Sequence, residues 1–322
     1  MATAQPQRVF GPVPSRRLGH SLGIDLVPYK TCSYDCIYCQ LGPTTCKTVS
    51  RAEYVPLAEV VAEVADRLAQ GVRADYITLS GSGEPTLYSP LSELVVTLKT
   101  MTTIPLAVLT NGSLLSDPEV RAAIAEVDLV VPSLDAGDDA TFQRVNRPHA
   151  AISFVGMVDG LRAFREGFRG QVWLEVFVLE GITSAPTSLR RIAELAELIG
   201  PDRVQLNTVA RPPAERCAEA VAKERLEALA RVFTPSAEVV ADYGASADGT
   251  PSAADEADVA ALLARRPCTL DDIAEGLGLH RNEVLKHLGH LLRQGRIVRE
   301  SAAGRDYYAA VRAPAGEESC AR

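Results

Sequence analysis

The length, composition and charge of this chain are those of an ordinary globular protein with 322 residues. Hydrophobic residues make up 47% and charged residues 23%, and no apolar run approaches the ~18 residues that cross a bilayer. The formal net charge of −8 argues against broad, nonspecific binding of nucleic acid. We therefore expect a cytoplasmic protein without a membrane segment, long enough for one large and one small domain.

Short β-branched runs alternate with longer amphipathic stretches between residues 23 and 243. Helical spacing of apolar residues predicts helices over 57–68, 91–98, 154–164 and 189–199. Such alternation predicts a parallel sheet covered by helices, either doubly wound or curled into a full or partial (βα) barrel. The predicted strands are Leu22–Val27, Tyr76–Ser80, Leu106–Thr110, Leu129–Ser133, Val172–Leu179, Arg203–Asn207 and Glu238–Ala241.

A cysteine-rich loop follows the first predicted strand, with Cys32, Cys36 and Cys39 in a Cys-x-x-x-Cys-x-x-Cys pattern. Ordinary [4Fe–4S] carriers hold each cluster with four thiolates, so three thiolates leave one iron open for chemistry. A tetrahedral zinc site with Cys46 as the fourth ligand is the alternative, although zinc-binding pairs are usually separated by a longer loop. Cys46 can also be an idle thiol or a hydrogen-atom donor. The odd number of cysteines, seven, disfavours a disulfide framework.

The strand Tyr76–Ser80 runs directly into the turn Gly81–Thr86. A dinucleotide-binding loop needs a G-x-G-x-x-G sequence that opens a helix, and Glu84 and Pro85 break that pattern. The turn is therefore either an ordinary β-turn or a ligand-binding loop of another kind.

Short polar residues follow the later predicted strands, at 110–112, 133–135 and 207–208. In barrels, ligand-binding residues collect at the C-terminal ends of strands and in the loops that follow them. The same short sequences are also common turns, so a structural role stays open for each. Arg16 and Arg17, near the expected barrel mouth, can meet an anionic substrate or pair with surface acids.

The composition changes after Tyr243, where small polar residues indicate a linker. We divide the chain into a main domain (1–243), a linker (244–254), a small domain (255–312) and a disordered tail (313–322). In the small domain, apolar spacing and a capping box at Thr269 and Asp272 predict three helices. A hairpin follows, with strands Ile297–Arg299 and Tyr307–Ala309 joined across Ser301–Gly304. This element order is that of a winged helix.

The third helix of the small domain and the following turn are rich in basic residues, and a recognition helix commonly occupies that position. The small domain as a whole is neutral, with nine basic and nine acidic residues, unlike a strongly basic DNA-binding domain. DNA, RNA, a protein partner and internal packing all remain open as its role. The basic residues are His280, Arg281, Lys286, His287, His290, Arg293 and Arg296, against Glu283.

The cysteine spacing, with Tyr38 before the third cysteine and the Ser82-Gly83-Glu84-Pro85 turn, resembles the radical S-adenosylmethionine (radical SAM) superfamily. The resemblance implies a partial (βα)6 TIM-type barrel and a [4Fe–4S] cluster held by Cys32, Cys36 and Cys39. It also implies that SAM binds the open iron and that the reduced cluster cleaves SAM to a 5′-deoxyadenosyl radical. That radical abstracts hydrogen from a substrate, and an electron donor such as ferredoxin or flavodoxin is required.

The resemblance also assigns SAM contacts to individual residues of this chain. The turn at 82–85 would meet the SAM amino group, for which glycines allow close approach and a carboxylate suits an ammonium donor. Tyr38 would flank the adenine, or else simply pack the cysteine loop. The implied SAM-binding residues are Tyr38, Ser82, Gly83, Glu84, Asn111, Ser133, Asp135 and Asn207.

A narrower resemblance, carried by Phe10–Gly19 and Gln205–Thr208, is to the tRNA wyosine-synthesis (4-demethylwyosine synthase-like) branch. Those enzymes carry a second cluster on three further upstream cysteines, whereas residues 1–31 here contain no cysteine. The shared scaffold is therefore expected more than the shared reaction, and the substrate can be RNA, a protein or a small molecule. The alternative from another class is a SAM- or redox-responsive regulator that binds DNA through the winged helix.

Overall fold

The computed structural model describes residues 8–15, 17–241, 255–279, 281–302 and 304–311. The predicted linker and tail, Arg16 and His280 lie outside the described residues. Within the described ranges, no helix has both the length and the apolar character that crossing a membrane requires.

One large sheet, mostly parallel, organises the main domain. In chain order the strands are β1 (Val9–Ser15), β2 (Gly19–Ile24), β3 (Thr31–Cys32), β4 (Cys46–Lys47), β5 (Tyr76–Leu79), β6 (Leu106–Thr110), β7 (Leu129–Pro132), β8 (Gln171–Phe177), β9 (Arg203–Asn207) and β10 (Glu238–Val239). The large sheet has the order β1-β2-β5-β6-β7-β8-β9-β10, and β3 pairs separately with β4. Only β1 runs antiparallel to its neighbour among these described strands.

The strand order decides between the two predicted architectures. A doubly wound sheet reverses its order at a switch point, whereas this sheet follows the chain from β2 to β10 without reversal. Successive right-handed crossovers then curl the sheet into a partial barrel, as predicted. The edge strand β1 was not predicted, because Pro12 and Pro14 interrupt its pattern. Proline lacks an N–H donor and is tolerated at a sheet edge.

Helices pack outside the sheet and share its apolar core. The four helices predicted from periodicity are present, but three shorter ones, of six to eight residues, were not predicted. Such short segments carry too few apolar repeats to show a helical period. The helices are α1 (Leu57–Ala69), α2 (Leu91–Met101), α3 (Pro118–Ala123), α4 (Asp139–Val145), α5 (Phe154–Gly167), α6 (Pro186–Ile199) and α7 (Lys223–Ala230), with a 3₁₀ helix at Pro85–Leu87.

The alternation of side chains along the strands determines what faces the barrel interior. On β2, Leu22 points into the apolar core, whereas Ser21 lines the interior cavity. On β5, Ile77 and Leu79 join the core and Thr78 faces the cavity. On these two strands, the period of two places apolar side chains under the helices and polar side chains at the cavity.

The small domain has the predicted winged-helix order. The Thr269 hydroxyl accepts a hydrogen bond from the Asp272 N–H at 3.1 Å, and the Asp272 carboxylate accepts one from the Thr269 N–H at 2.9 Å. The predicted capping box is therefore confirmed. The hairpin strands are longer than predicted, because Ser301 pairs with Asp306 and Ala302 pairs with Arg305. Its elements are α8 (Glu256–Arg265), α9 (Leu270–Leu277), α10 (Arg281–Arg293), β11 (Ile297–Ala302) and β12 (Arg305–Ala310).

The small domain docks against β1 and against the loop that follows β9. Val13 of β1 packs on the apolar core of the winged helix. The Arg265 guanidinium lies 4.2 Å from the centroid of the Phe10 ring, within the range of a cation–π contact. The Tyr307 hydroxyl donates to the Ala210 carbonyl oxygen at 2.7 Å. These contacts bring α8 and α9 to the cavity of the barrel.

Candidate active site

The cysteine loop leaves the C-terminal end of β2 and is anchored to the end of α4. The Asp35 N–H donates to the Asn146 carbonyl oxygen at 3.0 Å, and the Ile37 N–H donates to the Val145 carbonyl oxygen at 3.0 Å. The Ile37 side chain is buried beneath the loop. The loop is therefore held in place from two sides, which keeps the three cysteines together.

Each of the three sulfur atoms receives a nitrogen donor from a different part of the chain. Lys30 Nζ lies 3.1 Å from Cys39 Sγ, and Asn111 Nδ2 lies 3.5 Å from Cys32 Sγ. Asn146 Nδ2 lies 3.5 Å from Cys36 Sγ. Donors of this kind orient sulfur ligands and tune the metal they bind.

Two of the three thiols, Cys32 and Cys36, have raised pKa values. Burial raises the pKa of the Cys32 thiol to about 12, and the nearby Glu84 carboxylate adds to the effect. Burial, then Asp135 and the other two cysteines, raises the pKa of Cys36. Ligation of a metal is what keeps such buried thiols deprotonated.

The spacing of the donors bears on whether the site holds a cluster or a single metal ion. Among the described residues, no three His, Cys, Asp or Glu side chains converge closely enough to chelate one ion. An iron–sulfur cluster separates its ligand sulfurs, because each sulfur binds a different iron. Both a cluster on the three cysteines and a zinc site that includes Cys46 stay predictions.

The turn after β5 packs directly on the cysteine loop. The Glu84 N–H donates to the Thr31 carbonyl oxygen at 3.1 Å. A Cβ atom at Gly83 would lie 1.9 Å from that same oxygen, so only glycine fits there. Ser82 donates to the buried Asp25 carboxylate through its N–H, at 3.0 Å, and through its hydroxyl. The turn is thus fixed against β3 and the end of β2.

Glu84 is fully engaged with the protein. Its Oε1 atom accepts from the Thr86 N–H at 3.0 Å and from the hydroxyls of Thr86 and Thr110 at 2.6 Å each. Its Oε2 atom accepts from the Asn111 N–H at 2.8 Å. Burial raises the pKa of this carboxyl. Glu84 therefore positions Asn111 beside Cys32, a role the sequence did not indicate, and its contact with SAM stays a prediction.

Asp135 holds Tyr38 and Asn146 from the opposite side of the loop. Its carboxylate accepts from the Tyr38 hydroxyl at 2.5 Å, from Asn146 Nδ2 at 2.7 Å and from the Phe177 N–H at 2.9 Å. Burial raises the pKa of Asp135 to about 6, although these hydrogen bonds lower it. The Tyr38 ring stacks on the Phe177 ring with centroids 4.0 Å apart. Asn146 was missed because nothing in the residues around it indicates a ligand.

A cavity of about 1100 Å³ opens beside the cysteine loop. Five of the predicted site residues line it, and the other six do not. On the far wall, Asn207 Nδ2 donates to Glu175 Oε1 at 2.8 Å, and Glu175 pairs with Arg17 at 2.5 Å. Arg17 therefore lies inside the cavity rather than on the surface. The lining site residues are Tyr38, Cys39, Gly83, Ser133 and Asn207; those outside the lining are Cys32, Cys36, Ser82, Glu84, Asn111 and Asp135.

The comparisons with known proteins agree with this architecture. Residues 26–188 match the model of the Radical SAM superfamily, which spans the cysteine loop, the turn after β5 and the strands through β8. The chain belongs to the radical SAM superfamily. Membership implies an iron–sulfur cluster and SAM as cofactors. Residues 241–302 match the DprA winged helix domain, so the predicted type of the small domain is confirmed.

Two relatives show how much of the chain is shared. A UPF0026 protein of Helicobacter pylori (strain J99) is 33% identical over 316 residues, covering 94% of this chain and 97% of that protein. A Brachyspira hyodysenteriae protein described as "GTPase Obg" is 40% identical over 301 residues, covering 92% of this chain. This chain spans only 44% of the Brachyspira protein. A nucleotide-binding P-loop requires a Gly-Lys pair, and this sequence has none.

The radical SAM domain also resembles solved structures. A radical SAM methyltransferase from Sphaerobacter thermophilus superposes with a TM-score of 0.54 and 16% identity, covering 70% of this chain and 67% of that one. At this identity the likeness concerns the fold alone, and it agrees with the partial barrel described above.

The basic residues of α10 are largely engaged within their own domain. Glu256 of α8 lies 2.5 Å from His290 and 3.8 Å from Arg296, and it also faces His287. Arg281 pairs with Asp271 of α9. Within the described part of the domain, Lys286 and Arg293 are the members of the set that have no acidic partner. Of the three lysine and arginine residues on α10, Arg281 is therefore paired, whereas Lys286 and Arg293 have no acidic partner among the described residues.

Replacing Asn146 with alanine should weaken retention of the cluster by about 10–100-fold, the usual cost of removing an outer partner of a metal ligand. The variant removes the donor to Cys36 and leaves Asp135 with one donor fewer. The measurement is the rate of iron loss to a chelator from anaerobically reconstituted protein. Gln143→Ala, at an exposed position of α4, is the matched control. Equal rates for the two variants would contradict the role of Asn146.

Proposed function

We propose that this chain is a radical SAM enzyme whose [4Fe–4S] cluster is held by Cys32, Cys36 and Cys39. The cluster, once reduced, would cleave SAM to a 5′-deoxyadenosyl radical that abstracts hydrogen from a substrate. The observation that carries the proposal is the placement of three cysteines on one anchored loop, each with its own nitrogen donor, beside a cavity of about 1100 Å³. That volume is slightly above the usual range for ligand sites, which suits SAM together with a substrate.

The chain's own residues would bind and orient these groups, while the cofactors supply the radical chemistry. Gly83 lets the turn pack against the Thr31 carbonyl at the cavity wall, and Tyr38 is fixed by Asp135 and Phe177. Ser133 and Asn207, at the ends of β7 and β9, offer hydrogen-bonding groups to SAM at the cavity wall. An electron donor such as ferredoxin or flavodoxin is part of the proposal.

The test is production of 5′-deoxyadenosine by protein reconstituted anaerobically with iron and sulfide, then given dithionite and SAM. Slow, uncoupled cleavage is expected even without the substrate. A protein that holds its cluster but forms no 5′-deoxyadenosine would contradict the proposal. If tRNA stimulates SAM cleavage, the substrate is RNA and the enzyme is of the tRNA-modifying type.

A regulator that senses SAM or redox state and binds DNA is the alternative from another class. It predicts tight, sequence-specific DNA binding together with no cleavage of SAM. Pairing of Arg281 with Asp271 and of Arg296 with Glu256 leaves Lys286 and Arg293 as the unpaired cations of this surface among the described residues, so few cations are available for phosphate contacts. An RNA or protein partner for the winged helix stays possible within the enzyme proposal.

A further inference from the structure

The cavity beside the cysteine loop is built from both domains. Tyr38, Cys39 and Asn207 form its barrel side, while Arg266 and Asp272 belong to the winged helix. The contacts of Val13, Phe10 and Ala210 with the small domain hold this second wall in place. A winged helix used only to bind nucleic acid has no need to line a barrel cavity. The inward face of the winged helix, which is the surface that lines the cavity, therefore needs an explanation other than nucleic-acid binding.

Arg211, in the loop after β9, is a buried cation with unused bonding capacity at this seam. Its side chain is only 9% exposed. Its Nη1 atom reaches Gln40 Oε1 at 3.4 Å and its Nη2 atom reaches Asp272 Oδ1 at 3.5 Å, both longer than ordinary hydrogen bonds. Its Nε atom is buried without a hydrogen-bond partner. Gln40 directly follows Cys39, so this guanidinium lies next to the cysteine loop.

Arg266, at the end of α8, adds a second cation to the same wall. Burial lowers the pKa of Arg266, and the positive charge of Arg211 lowers it further. The acids of this wall are already engaged, since Asp272 caps α9 and meets Arg211 while Asp271 pairs with Arg281. An anion between Arg211 and Arg266 would offset their repulsion.

On the barrel side of the cavity, Glu175 does not supply that anion. Glu175 is paired with Arg17 on the barrel side, and Arg17 Nη1 is itself buried without a hydrogen-bond partner. The basic lining residues are Arg17, Arg211, Arg265, Arg266, Arg281 and Arg305, and the acidic ones are Glu175, Asp271, Asp272, Glu275 and Asp306.

We propose that Arg211 and Arg266 bind an anionic group of the substrate, a phosphate or a carboxylate, at the seam between barrel and winged helix. The planar fork of a guanidinium matches both groups and favours two parallel hydrogen bonds. The winged helix then forms one wall of the substrate site, selects substrates that carry such a group, and holds them facing the cysteine loop. That the anion belongs to a substrate rests on the proposed function, whereas the anion site itself does not.

The experiment uses the full-length protein reconstituted anaerobically, with inorganic phosphate and acetate as probes at constant ionic strength. Thermal unfolding is followed in wild type, Arg211→Gln, Arg266→Gln and, as a control, Arg293→Gln on the exposed side of α10. We expect a saturable rise in melting temperature with at least one probe in wild type and control. In the two seam variants the apparent affinity should fall at least about tenfold. The probe that acts identifies the anionic group.

Two outcomes overturn the proposal: no saturable response to either probe, or equal responses in the seam variants and wild type. SAM binding is measured on the same proteins by equilibrium dialysis and should be unchanged. An equal loss of SAM affinity would assign these arginines to the SAM carboxylate and also overturn the proposal. Anion stabilisation without any SAM cleavage would refute the proposed function and leave the anion site standing.

Discussion

Alanine at any one of Cys32, Cys36 or Cys39 should abolish SAM cleavage and strip most of the iron from the reconstituted protein. Each cysteine is one of three protein ligands. Its removal should therefore weaken retention of the cluster by more than the factor of about 10–100 that loss of an outer partner costs. The three variants should behave alike, because the loop holds the sulfurs as one unit. Iron and sulfide content, measured with 5′-deoxyadenosine formation, tests this expectation.

The matched control is Cys217→Ala, since Cys217 is an exposed free cysteine. It should retain both the cluster and SAM cleavage. A Cys36→Ala protein with full iron content would contradict the assignment of this loop as the cluster site. Loss of iron in Cys46→Ala to the same degree would instead indicate a fourth thiolate ligand, which would leave no open iron for SAM.

Gly83→Ala should damage both the stability of the protein and its site. The new Cβ atom would lie 1.9 Å from the Thr31 carbonyl oxygen, and a backbone oxygen in a short strand cannot move away cheaply. We expect a cost of about 1–3 kcal/mol, as for overpacked cores. For a domain of this size, each kcal/mol of lost stability lowers the melting temperature by ~2–4 °C. Displacement of the turn would also move Glu84 and Asn111, so SAM cleavage should fall.

Gly167→Ala is the control for the glycine prediction. Gly167 is the last residue of α5, and a Cβ atom there would meet no atom within 4 Å. Alanine also has a higher helix propensity than glycine, so this change should be neutral or slightly stabilising. Calorimetry and iron retention on both variants make the comparison. Equal melting temperatures for the two variants would show that the turn accommodates the added methyl group without loss of stability, which would contradict the prediction.

The fold was largely predictable because its signals are local. Strands β6 and β9 have the predicted bounds, since their apolar runs are short and bounded by polar residues. The capping box of α9 was predicted for the same reason, because Thr269 and Asp272 are three residues apart. The edge strand β1 and the short helices α3, α4 and α7 were not predicted. Prolines interrupt the strand pattern of β1, and the three helices are too short to show a helical period.

The sequence by itself determined the cysteine motif, the alternation of strands and helices, and the presence of a winged helix, because each is a pattern among residues close along the chain. Only the tertiary structure decided which distant groups meet. It brought Asn146 to Cys36, Glu84 to Asn111, and Arg211 to Asp272. Partners of buried polar groups are set by proximity in space, and strand order and domain docking create that proximity. The inward face of the winged helix is the largest example, since no local pattern could show that its charges meet the barrel cavity.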